Sequence, residues 1–521
     1  MSTTGRKSPD HVSQALASSR LGVPAVVFFV MSAAAPLTVV GGVITTGYAV
    51  TGITGLPLAF LAVAAVLVLF SVGYVAMARH VSNAGAFYTY VTRGLGRPAG
   101  VGAAWVALLA YNMMQVGLYG GFGFVAAPLL TDWFGVTLSW WVIALVSWAL
   151  VAVLGVMRVD INGKILAFLL VAEIAVIVVY DAASLLNPAG NTVSYETLKP
   201  SNLFVSGLGA LLVIAVTGFV GFEGAAVFAE ETKNPRRTVP IATYVSVGII
   251  ATLYALSAWA MTVATGPENI INTARENGPE TIFLLAGAHL GTTAVHIGHA
   301  LLLTSLIAAM ISFHNTTARY AFALGRERVL PAAFGRTSRR SGAPKVGSLA
   351  QSALGLIVII GYAAAGLDPL TQLFFWAGTS GAFGVLLLIT ATSVAVIGFF
   401  YRERHGESVW RRAIAPGIAV LALSMMVYLA VTNFATLLGV EASSPLRWIV
   451  PAMFPVAAVI GAGWALVLKA TRPDVYRSIG LGANSSIGRT GPSVLAPEAP
   501  VAPRTAADGP ASRRVDAEGV R

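Results

Sequence analysis

The sequence contains no cysteine and little charge, with Asp, Glu, Lys and Arg together making up 11% of its 521 residues. Without thiols there is no disulfide framework, no thiolate metal site and no cysteine nucleophile, as suits a chain with no oxidising compartment to exploit. Acidic residues are the scarcer sign, 22 against 33 basic ones, which leaves a formal net charge of +11. A soluble globule of this length needs far more polar residues to cover its surface. What is present instead is apolar: 56% of residues are hydrophobic and the mean hydropathy is +0.77, so an integral membrane protein is predicted. Metal-ligand spacing, a phosphate-cradling loop and a nucleophile elbow are missing too, so neither a cofactor nor a bound metal is expected and an enzyme is not. The short Gly-Phe-Gly around Phe122 reads only as part of a glycine-rich helix end.

About 20 apolar residues cross a bilayer. Twelve such stretches are centred near Leu37, Val68, Met114, Val146, Glu173, Ile214, Leu253, Leu306, Leu356, Leu386, Met425 and Val459. The polar first twenty residues, followed by an apolar stretch that is long and leads into many others, do not read as a cleaved signal peptide. If the N-terminus is cytoplasmic, Arg79, Arg93, Arg97, Arg158, Lys164, the Lys233 to Arg237 cluster, Arg326 to Lys345 and Arg402 to Arg412 all fall inside. Only Lys199, Arg275 and Arg447 of the 33 Lys and Arg residues then face out. That asymmetry predicts both termini on the cytoplasmic side of the plasma (inner) membrane, with the loop from Gly266 to Glu280 outside. It also assigns the basic surplus to topology and anionic lipid rather than to nucleic acid.

One stretch organises the rest, "GFVGFEGAAVFAEETKNPRRTVPIA" from Gly218 to Ala242. Gly218, Gly221 and Gly224 weaken span 6 by about 1 kcal/mol per site, so it can unwind at membrane depth. Bare backbone survives there only where it lines a cavity. Span 1 is broken in the same way, by Pro36 and the pair Gly41 and Gly42. Breaks in the first helix of each of two five-helix halves point to inverted repeats with the substrate between them.

The span 6 residues resemble the signature of the amino acid-polyamine-organocation (APC) permeases, which reads G-F-E, four to six small or apolar residues, E-E, then x-K-N-P-x-R-x-x-P. The loop "MARHVSNAGAFYTYVTRGLG" resembles that family's P-x-A-G-G-x-Y-x-Y, with Ser82 in place of the proline. "TTARYAFALGRERVLP" resembles its exit from span 8, with Glu327 and Arg328 for Asp-Gly. The likeness covers roughly Val23 to Leu468. It implies an all-α membrane protein of 12 transmembrane helices, a LeuT-type 5+5 inverted repeat plus two extra helices. The expected layout is residues 1–20 as a disordered cytoplasmic N-terminus, 21–400 as the transporter core, 401–468 as helices 11 and 12, and 469–521 as a disordered cytoplasmic tail.

Candidate site residues follow. A half-helix N-terminus offers N–H groups to a carboxylate and a half-helix C-terminus offers carbonyls to an ammonium. Ala35, Pro36, Leu37 and Thr38 of span 1 and Phe219, Val220, Gly221 and Phe222 of span 6 are therefore expected to contact the α-amino and α-carboxyl groups, largely through backbone. The competing reading is that these are packed kinks. Phe219, Phe222 and Trp376 are candidate gates, or ordinary packing. Asn112, Gln115 and Ser312 set selectivity, hold a cation or simply bridge helices. Glu173 and Glu223 are read as the carboxylates inside the hydrocarbon, where an ionised group costs about 2.5 to 3.5 kcal/mol. A carboxyl removed from water holds its proton more tightly, so either is a coupling candidate, with a proton preferred over sodium. His289, His296 and His299 are read as interfacial.

The function expected is secondary active transport of an amino acid or related amine, by proton-coupled symport and alternating access. The alternatives are an exchanger or a polyamine carrier. A membrane enzyme would need a polar catalytic cluster at the interface, which the sequence does not show, and a channel should show a repeated polar stripe through several helices. The side chain accepted and the oligomeric state are left open.

Overall fold

A computed structural model describes residues 21–81, 85–156, 159–228, 231–338, 342–403 and 405–482, with side chains described throughout except in 159–167. Ser82, Arg158 and residues 1–20 and 483–521 lie outside the described set, as does the side chain of Lys164. The described residues form helices and turns, and the one extended pairing is an isolated parallel bridge between Leu21 and Thr232.

Among the described residues eleven helices are long and apolar enough to cross a membrane. In chain order with one shorter helix they are α1 (Val23–Thr51), α2 (Leu56–Ala78), α3 (Arg97–Phe134), α4 (Trp140–Gly155), α5 (Val159–Leu186), α6 (Leu208–Val227), α7 (Pro235–Thr265), α8 (Thr292–Arg326), α9 (Lys345–Ala364), α10 (Pro369–Arg402), α11 (Trp410–Thr432) and α12 (Leu446–Thr471). The short one is α4, whose 16 residues rise about 24 Å at 1.5 Å each. The prolines Pro451 and Pro455 lie inside α12 without ending it. A multi-pass membrane protein follows, since so many apolar helices can satisfy their own backbone in lipid.

Close helix packing in lipid relies on small residues. A Cβ on Gly102 would lie 2.8 Å from the carbonyl oxygen of Ala458, and one on Gly461 2.7 Å from that of Val101, so α3 and α12 touch backbone to backbone. α6 is the most enclosed span, with 94% of its apolar window buried, and α12 the least, with 22%. The broken helix thus sits at the centre and the last helix at the rim.

The ordered chain reaches beyond the predicted core. α12 continues to Thr471, and a further helix, Pro473–Ser478, packs back on the bundle, so a tail beginning at residue 469 is placed too early. Glu327 explains the difference: its buried carboxylate accepts the N–H groups of Gly480 and Gly482 at 2.7 Å each, and the Tyr88 hydroxyl from the loop helix Ala86–Leu95. An anchor made by backbone amides leaves no mark in composition.

Candidate functional site

The two broken helices frame the site. In α1 the first half ends at Ala34, because a residue preceding proline is pushed out of the helical region and Pro36 has no N–H to donate. Ala35 takes up the left-handed conformation, φ 46° and ψ 72°, at a cost of about 1–3 kcal/mol. The Tyr254 hydroxyl donates to the Ala34 carbonyl at 3.0 Å, satisfying backbone at the break. Past Thr38, the widened π-turns Val39–Ile44 contain Gly41 and Gly42. In α6 the helix stops at Phe219, Val220 is extended at ψ 132°, Gly221 has φ +109°, and helix resumes at Gly224.

Glu223 stitches the second break together. One carboxylate oxygen accepts the Gly221 N–H at 2.9 Å and the other the Tyr111 hydroxyl of α3 at 2.7 Å. The Tyr74 hydroxyl of α2 donates to its backbone carbonyl at 3.0 Å. Both carboxylate oxygens are thus engaged in holding the unwound loop against its neighbours.

Three cavities lie in line along α1. The central one, about 60 Å³, is bounded by Ala33 to Ala35 and Thr38 of α1, Met114 and Leu118 of α3, Thr217 of α6, Ala309 and Phe313 of α8, and Phe374 and Thr379 of α10. A second, about 20 Å³, shares Thr38, Gly42 and Phe374 and continues toward Pro279 and Leu370. A third, about 10 Å³, shares Ala33 and Phe313 and continues toward Gly221, Glu223 and Phe228. Phe374 and Phe313 therefore stand at the two constrictions of one passage.

Beyond the third cavity, the end of the bundle that carries Arg79, Arg93 and Lys233 is shut in two layers. Phe29 of α1 stacks on Phe228, ring centroids 4.8 Å apart, and the Arg319 guanidinium of α8 lies 4.9 Å from the Phe228 ring. Arg319 in turn pairs with Glu231, Nε to Oε1 2.6 Å, both side chains 3% or less exposed. Leu21 donates to the Glu231 carbonyl and accepts from the Lys233 N–H, each at 3.0 Å, which clips the start of α1 to the end of α6.

Glu173 of α5 is 1% exposed and faces Ser305 of α8 and the Leu37 amide just past the α1 break, while one carboxylate oxygen has no hydrogen-bond partner. Ser305 Oγ also receives the Thr38 N–H at 3.3 Å and hydroxyl at 3.2 Å, so a single hydroxyl links the Glu173 environment to a cavity-lining residue.

Of the sequence candidates, Ala35 and Thr38 line the central cavity and Gly221 and Glu223 the third one. Pro36, Leu37 and Val220 are buried in the breaks without lining any of these three cavities. Phe219 packs on Phe60 and Phe222 on Phe70, while the Trp376 indole donates to the Leu438 carbonyl at 2.8 Å, so none of the three aromatic candidates faces the passage. The physical reason on α10 is its π-helical opening, Pro369–Phe375, whose wider turn shifts the face and presents Phe374 instead of Trp376. Asn112 returns its amide to the Leu108 carbonyl and Gln115 to the Tyr119 hydroxyl, whereas the Ser312 hydroxyl is buried without a partner. His299 is buried against Phe283 and lies 2.9 Å from Glu280, whose side chain is half-exposed in the connection before α8. Three further carboxylates are buried, Glu231, Glu327 and Asp181, the last of which lies on α5 and accepts the Ser257 hydroxyl of α7 at 2.7 Å. The paired acids Glu230 and Glu231 in the sequence were the available signal for the first.

A bundle whose two broken helices enclose a passage shut at one end defines a membrane transporter and not an enzyme. The chain belongs to the amino acid permease family, whose model matches residues 25–475. It is 24% identical over 377 residues to the lysine-specific permease LysP of Lactococcus lactis subsp. cremoris, covering 67% of this chain and 71% of that one. It is also 24% identical over 372 residues to the low-affinity putrescine importer PlaP of Escherichia coli, covering 69% and 77%. With the chloroplastic cationic amino acid transporter 6 of Arabidopsis thaliana it shares 30% identity over 154 residues, and the matched stretch spans about a quarter (24%) of that relative's length.

Proposed function

We propose that this permease carries an amino acid or related amine across the plasma (inner) membrane by alternating access, coupled to a proton that binds at Glu173. Family membership and the two permease relatives support the cargo class. The observation that carries the coupling is the position of Glu173, a buried carboxyl with an unpartnered oxygen set between the unwound stretch of α1 and Ser305 of α8. Charging that group in an apolar surround is costly, so its proton state biases how closely α1, α5 and α8 pack. Proton binding closes the α1 break over the cargo, and proton loss to the opposite vestibule frees it.

The breaks at Ala35 and Gly221, each in the first helix of a five-helix set, support reading α1 to α5 and α6 to α10 as inverted halves, with α11 and α12 added outside them. In this reading the basic end and both termini are cytoplasmic. Glu223, by contrast, acts as a fixed strut. Uptake into proteoliposomes tests the scheme: Glu173→Gln should keep cargo binding and exchange yet lose accumulation driven by a pH gradient. Normal gradient-driven accumulation by that variant would remove Glu173 from the mechanism. Counterflow with preloaded vesicles separates obligate exchange from net symport.

A further inference from the structure

Resting on the transport reading above, we infer that the cargo is an α-amino acid with a neutral, apolar side chain, and not lysine or a diamine. Among the described residues no charged side chain lines the central cavity or the one beyond Phe374. Glu223 is the one carboxylate lining the third cavity, beside the Tyr111 phenol, and its oxygens already hold the Gly221 amide and the Tyr111 hydroxyl. A second ammonium on the cargo that reaches into the central cavity or the one beyond Phe374 would therefore enter an apolar space with no counter-charge in its lining, which is the costly case for a buried ion.

The few polar atoms in the cavity fit the same conclusion. The Thr217 hydroxyl donates to the Val213 carbonyl at 2.9 Å, the Thr379 hydroxyl to the Phe375 carbonyl at 2.7 Å, and the Thr38 hydroxyl to Ser305. Their protons are committed to the protein, so none is left to recognise a polar side chain by donation. What remains facing the cargo is Met114 and Leu118 one turn apart on α3, Ala309 and Phe313 one turn apart on α8, and Phe374. Thioether, aliphatic and aromatic surfaces recognise area and shape, and a pliable methionine adjusts to several apolar side chains. The α-ammonium and α-carboxylate are left to the helix breaks, so a diamine also forfeits the half of the site that meets a carboxylate.

The test uses the purified full chain in proteoliposomes with an inward pH gradient and four radiolabelled probes: L-leucine, L-phenylalanine, L-lysine and putrescine. Saturable uptake of leucine or phenylalanine is expected, unaffected by about a hundredfold excess of lysine or putrescine. Met114→Glu, close in length and now anionic, should cut leucine uptake about tenfold or more and make lysine a competitor, while the uncharged Met114→Gln should not make lysine a competitor. Wild-type uptake of lysine or putrescine without that of the neutral amino acids overturns the side-chain assignment and leaves the transport reading standing. No uptake or counterflow of any of the four overturns the transport reading itself. Should Met114→Glu fail to fold, the wild-type competition still decides the matter.

Discussion

Gly221 is the residue on which the site's geometry is most finely balanced. Its φ of +109° is a conformation that side-chain-bearing residues rarely adopt, and a Cβ there would sit 2.6 Å from the Cβ of Ala33. Gly221→Ala should therefore push α6 away from α1 at about 1–3 kcal/mol of strain, abolishing cargo binding while folded protein is still recovered. Wild-type affinity in that variant, measured by radioligand binding, would place the cargo elsewhere. Tyr111→Phe tests the strut: it removes the donor at 2.7 Å from a Glu223 oxygen and should lower stability by about 1–3 kcal/mol, read as a fall in melting temperature. Glu223 was legible in the sequence because a lone carboxylate in a glycine-broken apolar run has few ways to be satisfied. Its partners were not, since Tyr74 and Tyr111 reach it from helices 149 and 112 residues away in the chain. Distances of that kind are fixed by packing alone.

At the scale of elements, the shut end of the passage is a joint between three helices. α1 contributes Phe29, the segment after α6 contributes Phe228 and Glu231, and α8 contributes Arg319. Breaking one side of a buried ion pair strands the other charge and costs about 3–5 kcal/mol. Arg319→Ala should accordingly favour the state in which this end is open. In a chain without native cysteine the change is measurable: Phe29→Cys in the Arg319→Ala background should react faster with a small thiol reagent than Phe29→Cys alone. Equal rates would mean that the pair does not hold the passage shut. The breaks in α1 and α6 were readable from proline and glycine, since those residues act on their own backbone. On α10 the π-turns at Pro369–Phe375 bring Phe374 to the central cavity and leave the Trp376 indole donating to the Leu438 carbonyl. A one-residue change of helical phase has no signature in a tract as uniformly apolar as "LFFWAG".

For the whole molecule, the sequence pattern reached furthest where a single physical rule governs the entire chain. A bilayer demands long apolar helices, and eleven of the twelve stretches counted from hydropathy are long enough to cross, the shorter α4 being the one that departs. The proposed orientation rests on a second such rule, retention of positive charge on the cytoplasmic side. In the fold, Arg79, Arg93, Arg97, Lys233, Arg326 and Arg336 all fall at helix ends or connections on the side where α1 begins, α6 ends and α8 ends. Arg275 lies on the other side, where its guanidinium donates to the Ala49 carbonyl near the end of α1. Two exposed positions mark the two sides: Asn269, before the short helix Ile270–Asn277, and Arg336, in the connection between α8 and α9. In intact cells an impermeant maleimide should label Asn269→Cys and not Arg336→Cys, and permeabilising the membrane should expose both. Labelling of Arg336→Cys alone would invert the protein, placing the Glu231 and Arg319 closure at the outer face and making Phe374, not Phe313, the constriction nearest the cytoplasm.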